Sequence, residues 1–140
     1  MVRIYSAVLR IGDLQNTPVI SIVDDDEAVR VALRSLVRSL GYVSNVFASA
    51  EEFLESSHLN ETSCLISDVQ MPGMNGIELQ NRLKRLDWSA PVIFVTAFPD
   101  ERNRALALEG GAIGFLEKPF EGRALVQLIQ AALRALRERG

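Results

Sequence analysis

The amino-acid sequence predicts an α/β protein in which five parallel strands form one sheet covered by helices on both faces. Two observations lead to this fold class. Short runs of β-branched and other apolar residues alternate along the chain with segments whose apolar residues recur at helical spacing. The short runs contain too few polar residues for strands with one exposed face, which is typical of parallel strands buried on both sides. The helical segments supply the crossover that each pair of parallel strands needs.

The composition limits the function before any motif is considered. The chain has 140 residues, of which 48% are hydrophobic, and this is enough for one domain with its own core. A net charge of −3 does not indicate a nucleic-acid-binding surface, although residues 134–139 are locally basic. The single cysteine, Cys64, excludes an internal disulfide and a cysteine-based zinc site. No apolar run is as long as a membrane span, so we expect a soluble cytoplasmic protein that binds neither membranes nor DNA through this segment.

The first strand and helix follow an N-terminal extension. Residues 1–17 have mixed polarity without a clean period, and we expect the domain itself to span residues 18–140. The apolar run at residues 19–23 predicts a buried strand that ends in the acidic residues 24–26. Residues 27–40 then show helical spacing and predict a helix that Gly41 ends. The basic residues of this helix are expected on its opposite, solvent side: Arg30, Arg34 and Arg38.

The second unit and the third strand repeat the pattern. Residues 42–48 predict a strand, and residues 49–52 predict a capping box that starts a short helix reaching about Ser57. The third strand is predicted at residues 63–68. The sequence Met71-Pro72-Gly73 prevents this strand from continuing.

The rest of the chain predicts two more strands and three more helices. A helix beginning at Asn75 or Gly76 is expected to form one apolar stripe from Leu79, Leu83 and Leu86. Strands are predicted at residues 92–96 and 112–116, separated by a helix at 101–109 that Asp100 caps. The last helix begins near Glu121 and has the cleanest apolar stripe of the chain: Leu125, Leu128, Ile129, Ala132, Leu133 and Leu136.

These elements predict a doubly wound three-layer sandwich with five helices. The elements do not fix the strand order, and among the common orders we expect the flavodoxin-like order 2-1-3-4-5. In that order the polar side chains that end strands 1, 3, 4 and 5 share one edge of the sheet: Asp24 and Asp25, Asp68, Thr96, and Lys118. Three carboxylates crowded together repel one another unless a cation is present, and all-oxygen ligation suits Mg²⁺. Mg²⁺ often bridges to phosphate, and a carboxylate such as Asp68 can attack phosphorus to form an acyl phosphate. Thr96 and Lys118 would then stabilise the phosphoryl oxygens.

The sequence closely resembles a known family, the receiver domains of bacterial two-component response regulators, and within it the FixJ-like branch. The resemblance rests on IVDDDEAVR, LISDVQMPGMNGIEL, VIFVTAF and GAIGFLEKPF, in the right order, and covers residues 19 to about 137. It implies that Asp68 accepts a phosphoryl group from a histidine kinase. It also implies that Asp25, Asp68 and the backbone carbonyl of Gln70 bind Mg²⁺, that Asp24 assists through water, and that Thr96 and Lys118 contact the phosphoryl oxygens.

The resemblance further implies a switch. Thr96 would move toward the phosphoryl group, and the aromatic side chain of Phe115 would turn inward. The surface formed by helix 4, strand 5 and helix 5, residues 101–109, 112–116 and 121 onward, would then change and could form a homodimer. Gln70 and Phe98 occupy positions where the family tunes the lifetime of the phosphoryl group. FixJ-like receivers usually precede a DNA-binding helix-turn-helix output domain, which implies a role in transcription.

Other interpretations remain open at this stage. An aspartate-nucleophile phosphohydrolase of the haloacid dehalogenase type also uses Asp, Thr, Lys and Mg²⁺, but Gln70 stands where its second acid is usual. A receiver-like scaffold without phosphorylation is a further alternative, which the intact acid pocket disfavours. Individually, Thr96 could be an ordinary strand residue, Phe115 a core aromatic, and Asp26 a helix cap and not a metal ligand.

Overall fold

The computed structural model describes residues 17–139, which form one parallel sheet covered on both faces by helices. The strands are β1 (Val19–Val23), β2 (Val43–Phe47), β3 (Cys64–Asp68), β4 (Val92–Thr96) and β5 (Gly114–Glu117). They lie in the order β2-β1-β3-β4-β5, and every neighbouring pair is parallel. The predicted fold class and strand order are confirmed. Of the extension expected at residues 1–17, all but Thr17 lies outside the described residues.

The part of the chain that the structure describes contains five α-helices: α1 (Glu27–Ser39), α2 (Ala50–Glu55), α3 (Gly76–Arg85), α4 (Glu101–Glu109) and α5 (Gly122–Arg139). Polar side chains begin the first four of them by accepting backbone N–H groups of the first turn: Asp26, Ser49, Asn75 and Asp100. None of the helices within residues 17–139 combines the length and the apolar character needed to cross a bilayer.

Alternation along the strands divides the core into two layers. Ile20, Ile22 and Ile66 face the side covered by α1 and α5, where Ile129 is also fully buried. Leu65 and Phe94 face the opposite side, which α2, α3 and α4 cover. Because successive side chains of a strand point to opposite faces, a strand in such a sheet must be apolar at nearly every position.

Two predicted boundaries, the end of α2 and the start of β5, are wrong by two residues each. The short helix α2 ends at Glu55 instead of near Ser57, because both the N–H and the hydroxyl of Ser56 bond to the Phe53 carbonyl. An unpredicted turn of 3-10 helix, Leu59–Glu61, follows it. Strand β5 begins at Gly114 and not at residue 112, since its pairing with β4 starts only there. Ala112 still donates its N–H to the Ala107 carbonyl at the end of α4.

The apolar stripe predicted for α3 is wrong at its last member. Leu79 and Leu83 are buried, but α3 ends at Arg85 and the side chain of Leu86 is 55% exposed. Trp88 packs against the core instead, with its ring edge-on to Phe53 and its Nε1–H donated to the Leu59 carbonyl. The predicted capping box of α2 is only half formed, because Glu52 accepts from the N–H of Ala48 and not from that of the cap residue.

Candidate functional site

The carboxyl ends of β1, β3 and β5 bring three predicted site residues into contact. Asp24 follows β1, Asp68 ends β3 and Lys118 follows β5. The Lys118 ammonium lies 2.8 Å from Oδ2 of Asp24 and 3.3 Å from Oδ2 of Asp68. Residues separated by 94 and 50 positions in the sequence therefore form one cluster, as the strand order predicts.

The three predicted acidic ligands lie close together. Each of Asp24, Asp25 and Asp68 has a carboxylate oxygen within 4.8 Å of such an oxygen on the other two. Asp24 and Asp68 are buried, whereas Asp25 is exposed at the mouth of the pocket. Asp26 accepts the N–H of Ala28 and caps α1, so its side chain is used as a helix cap, as expected.

The backbone orients the carboxylate of Asp68. Its Oδ1 accepts the N–H of Val69 at 2.7 Å and that of Gln70 at 3.3 Å, while Oδ2 is directed to Lys118. Burial and, after it, the negative charge of Asp24 raise the pKa of Asp68, although Lys118 and the Val69 amide act in the opposite direction. The backbone amides thus hold the carboxylate in place, but the surrounding residues do not fully offset the cost of its negative charge.

Lys118 is the principal positive charge in contact with these acids. Burial lowers the pKa of Lys118, but its hydrogen bond to Asp24 and the charges of Asp24 and Asp68 outweigh that effect, so the net pKa is raised. The side chain therefore stays protonated at neutral pH. The backbone N–H of Lys118 donates to the Thr96 carbonyl oxygen at 2.7 Å, and the Lys118-Pro119 peptide bond is cis.

Thr96 ends β4 beside Asp68 and is fully buried. Its hydroxyl oxygen accepts the N–H of Phe98 at 3.1 Å. The side chain of Phe98 is 67% exposed, so the structure does not place it as a closed cover over the acids. With Gln70, Asn75 and several neighbours, Phe98 lines an open cavity of about 410 Å³ next to the acid pocket.

Phe115 is half-buried on β5. Its ring centroid lies 6.4 Å from that of Phe94, in the core layer below α4. An inward or outward turn of the Phe115 ring, as the resemblance implies, would alter this packing against Phe94.

Two contacts near the site were not predicted from the sequence. Arg30 was expected on the solvent side of α1, but it is half-buried and donates from Nη1 to the Asp24 carbonyl at 2.8 Å. Its position in the first turn of the helix, directly after the acids, was the available signal.

Glu51 accepts the N–H of Met74, in the loop that follows Asp68, at 3.0 Å. These two residues are 23 positions apart, and no spacing rule relates them.

The donor chemistry of the pocket fits a hard divalent cation. The three side-chain ligand candidates are carboxylates, one of them exposed to solvent, and the backbone carbonyl of Gln70 is the fourth oxygen that the resemblance implies. Burial and, after it, the charge of Asp24 raise the pKa of Asp68, and a cation would offset both effects. A cation bound by few protein ligands, with water completing its coordination, is typical of Mg²⁺.

Comparisons with known proteins agree with this geometry. The family model described as response regulator receiver domain matches residues 20–130. Among curated relatives, the response regulator protein TodT of Pseudomonas putida is 43% identical over 116 residues, which cover 83% of this chain and 51% of TodT. Nodulation protein W of Bradyrhizobium diazoefficiens is 39% identical over 86% of this chain and 53% of its own length. The chain therefore spans about half the length of the curated relatives it matches.

Solved structures show the same similarity in three dimensions. The response regulator StyR is 42% identical and superposes with a TM-score of 0.81, covering 88% of this chain and 62% of StyR. The structure of FixJ-N is 33% identical with a TM-score of 0.75, covering 84% of this chain and 94% of FixJ-N. Together with a family match over most of its length, these similarities show that the chain belongs to the response regulator receiver domain family.

Proposed function

We propose that this receiver domain is switched by transfer of a phosphoryl group from a histidine kinase to Asp68. The observation that carries the proposal is the carboxylate of Asp68, which two backbone amides hold beside two further acids and a protonated lysine. An oxygen of this carboxylate attacks phosphorus and forms an acyl phosphate. The bond from phosphorus to the imidazole nitrogen of the kinase breaks, and the nitrogen keeps the electron pair.

The acid cluster is proposed to hold the metal ion. Asp25, Asp68 and the backbone carbonyl of Gln70 would bind Mg²⁺, with Asp24 acting through water. When bound, Mg²⁺ supplies positive charge near the phosphoryl oxygens. Gln70 already donates its N–H to Oδ1 of Asp68, which supports a role for this residue at the metal site.

Lys118 and Thr96 are proposed to bind the phosphoryl oxygens. The Lys118 ammonium contacts Oδ2 of Asp68. A phosphoryl group added on this side of the carboxylate would bring negative charge, which the ammonium can neutralise. The Thr96 oxygen accepts from Phe98, which leaves its own hydrogen to be donated to a phosphoryl oxygen. A movement of Thr96 toward that oxygen would break the bond to Phe98 and let Phe115 repack inward.

The output of this switch is proposed to be the surface of α4, β5 and α5. Leu106 and Leu108 on α4 are 40% and 44% exposed, so the surface offers apolar area for a homodimer. A phosphoryl group needs only a few kcal/mol of preference for one of two packings to shift their populations. The curated relatives include transcriptional regulatory proteins, which supports control of transcription through an attached domain such as a helix-turn-helix.

A switch is favoured over a phosphohydrolase with an external substrate. The position of the phosphohydrolase's second acid is occupied by Gln70, whose backbone bonds to Asp68. The matching relatives are response regulators. Catalysis by this domain is proposed to be limited to its own phosphorylation and dephosphorylation.

The test is phosphorylation by a small donor. Incubation with acetyl phosphate and Mg²⁺ is expected to add the mass of one phosphoryl group to the intact protein, and EDTA is expected to prevent it. Hydroxylamine should remove the added group, because it cleaves acyl phosphates and leaves phosphate esters of serine and threonine intact. A protein that gains no mass in Mg²⁺, or a hydroxylamine-stable adduct, contradicts the proposal.

We further expect Phe98→His to shorten the lifetime of the phosphoryl group, by roughly tenfold at most, since an imidazole can orient the attacking water as a general base does. Phe98 lines the cavity next to Asp68 together with Gln70, so a side chain there can meet solvent approaching the phosphoryl group. The rate is measured as loss of the phosphoryl mass after removal of the donor. Leu106→His on α4 is a control that introduces the same imidazole at another exposed apolar residue. Equal rates of phosphoryl loss in wild type and Phe98→His would show that residue 98 does not affect the lifetime of the phosphoryl group.

A further inference from the structure

We propose that Glu51 of α2, outside the acid pocket, is a positioning residue that holds the loop after Asp68 in the shape needed for metal binding. This loop, residues 69–75, is called the phosphoacceptor loop below. It contains the two amides that orient Asp68 and the carbonyl proposed as a metal ligand. The inference rests on the proposed function and adds a residue to its machinery.

The contact between Glu51 and the loop is direct. Oε2 of Glu51 accepts the N–H of Met74 at 3.0 Å. The preceding residue, Gly73, has φ +75, and a Cβ on it would lie 2.8 Å from the same oxygen. The Glu51 carboxylate thus occupies the space of a side chain at residue 73, so the loop conformation and the carboxylate position depend on each other.

Glu51 is attached to a firm support. The Ser49 hydroxyl accepts the N–H of Glu52 at 3.1 Å and caps α2. Phe53, two residues after Glu51, is fully buried and packs on Phe47 with ring centroids 5.3 Å apart. A carboxylate on a helix anchored in this way can define where the loop lies.

Apart from the bond to Glu51 and the amides that hold Asp68, the loop's hydrogen bonds within the described residues lie near its base, and Met71 in its middle is buried in the core. Gly76 donates its N–H to the Val69 carbonyl at 2.8 Å, and Asn75 and Glu78 form a capping box that starts α3. These bonds connect the loop to itself and to the helix that follows it. The bond to Glu51 connects the loop to another element, which restricts the orientation of residues 70–74 as a group.

The charge state agrees with this role. The hydrogen bond from Met74 lowers the pKa of Glu51, which therefore accepts as a carboxylate at neutral pH. A hydrogen bond to a charged acceptor is stronger than one between neutral groups.

The test compares Glu51→Ala and Glu51→Gln with Glu52→Ala. Glu52→Ala removes the same charge from the next residue of α2, whose carboxylate bonds to Ala48 and not to the loop. Binding of Mn²⁺, which prefers the same oxygen ligands as Mg²⁺, is measured by the electron paramagnetic resonance of the free ion. We expect Glu51→Ala to raise the dissociation constant roughly 3- to 10-fold, the scale of one lost hydrogen bond. Glu51→Gln keeps an acceptor oxygen and should recover most of this loss.

A second readout does not depend on the metal. Amide hydrogen exchange at Met74 is expected to be faster in Glu51→Ala than in Glu52→Ala, with Phe53 exchanging at the same rate in both. Met74 exchange that is unchanged in Glu51→Ala, or Mn²⁺ affinity equal to that of Glu52→Ala, overturns the positioning role. Wild-type protein that binds no Mn²⁺ and takes no phosphoryl group contradicts the proposed function instead, and the exchange rate still decides whether Glu51 holds the loop.

Discussion

Asp68→Asn is expected to abolish phosphorylation and, in metal-free buffer at neutral pH, to make the fold more stable than the wild type. The first result follows because an amide oxygen cannot attack phosphorus to form an acyl phosphate under these conditions. The asparagine keeps an oxygen that can accept the N–H of Val69, so the loop geometry is retained. Loss of the phosphoryl mass would therefore report the missing nucleophile.

The second result follows from the raised pKa of Asp68. Burial and the neighbouring charge of Asp24 raise it above the ordinary value of 3.8, so the folded state holds this proton more tightly than the unfolded chain does. The stabilising contribution of the group is complete below the ordinary value and is lost as the pH rises through the folded-state pKa. Asparagine never acquires this charge. We expect a gain on the order of 1 kcal/mol at pH 7, the scale of a typical single substitution.

Denaturant unfolding in EDTA at pH 7, and again at a pH below the ordinary carboxyl value, checks the sign. The stability difference between variant and wild type should shrink as Asp68 becomes protonated. Mg²⁺ should also reduce it, because the proposed metal site binds the wild type in preference to the variant. Asp87→Asn is the matched control, since Asp87 is exposed and its φ of 59 lies in a region that asparagine tolerates. A variant less stable than wild type at pH 7 would contradict the argument that burial and the charge of Asp24 together make the charged form of Asp68 unfavourable.

The sequence predicted the parallel sheet, and the flavodoxin-like order, one of the common orders for such a sheet, predicted the contact between its strand ends. Buried parallel strands must be apolar on both faces, so the short runs stood out from the periodic helices. The strand order then determined that Asp24, Asp68 and Lys118 share an edge, and the observed distances of 2.8 and 3.3 Å from the ammonium agree with it. The contact between the strand ends could be predicted because it depends on the order of the strands and not on details of side-chain packing.

Features set by where an element stops were predicted less well. Periodicity assigned Leu86 to the buried stripe of α3, but the helix ends one residue earlier, and Trp88 covers the core instead. The spacing of apolar residues predicts which face of a helix is buried. It does not predict where the helix ends, because that depends on which of the following side chains packs against the core.

Contacts between separate loops and helices could not be predicted at all. Glu51 was counted only as part of a capping box, although its carboxylate bonds to the loop 23 residues later. Arg30 was assigned to solvent because it lies opposite the apolar stripe of α1, yet its side chain reaches back to the Asp24 carbonyl. Long polar side chains can extend around a helix, so helical position alone does not determine what they contact.

Gly76→Ala is expected to lower the free energy of unfolding by about 3 kcal/mol, the upper range for overpacking a close-packed site. A Cβ at this position would overlap the Asp68 carbonyl oxygen and lie 2.9 Å from Cε1 of Phe94 and 3.0 Å from Cα of Val69. Two of these three neighbours are backbone atoms of Asp68, the proposed phosphoacceptor, and of Val69, and backbone atoms cannot turn aside as a flexible side chain can. Relief requires that α3 move away from the end of β3.

Such a movement should also reduce phosphorylation in the molecules that remain folded. The N–H of Gly76 bonds to the Val69 carbonyl at 2.8 Å, and the N–H of Val69 holds Oδ1 of Asp68. Displacing the start of α3 therefore alters the amide that orients Asp68, the proposed nucleophile. We expect the initial rate of mass gain from acetyl phosphate to fall roughly tenfold or more, as misplacement of reacting groups by an ångström can cost 100-fold.

Gly122→Ala provides the matched comparison, because it makes the same chemical change in the first turn of α5, where a Cβ would meet no atom within 4 Å. Alanine is favoured over glycine in helix interiors by up to about 1 kcal/mol, so this variant should be as stable as the wild type or slightly more so. Urea unfolding followed by circular dichroism measures both variants, and phosphorylation is compared below both transitions. Equal stability of the two would mean that α3 can withdraw from β3 at little cost. In that case the close approach of Gly76 to β3 would not be needed to fix the position of the Asp68 backbone relative to α3.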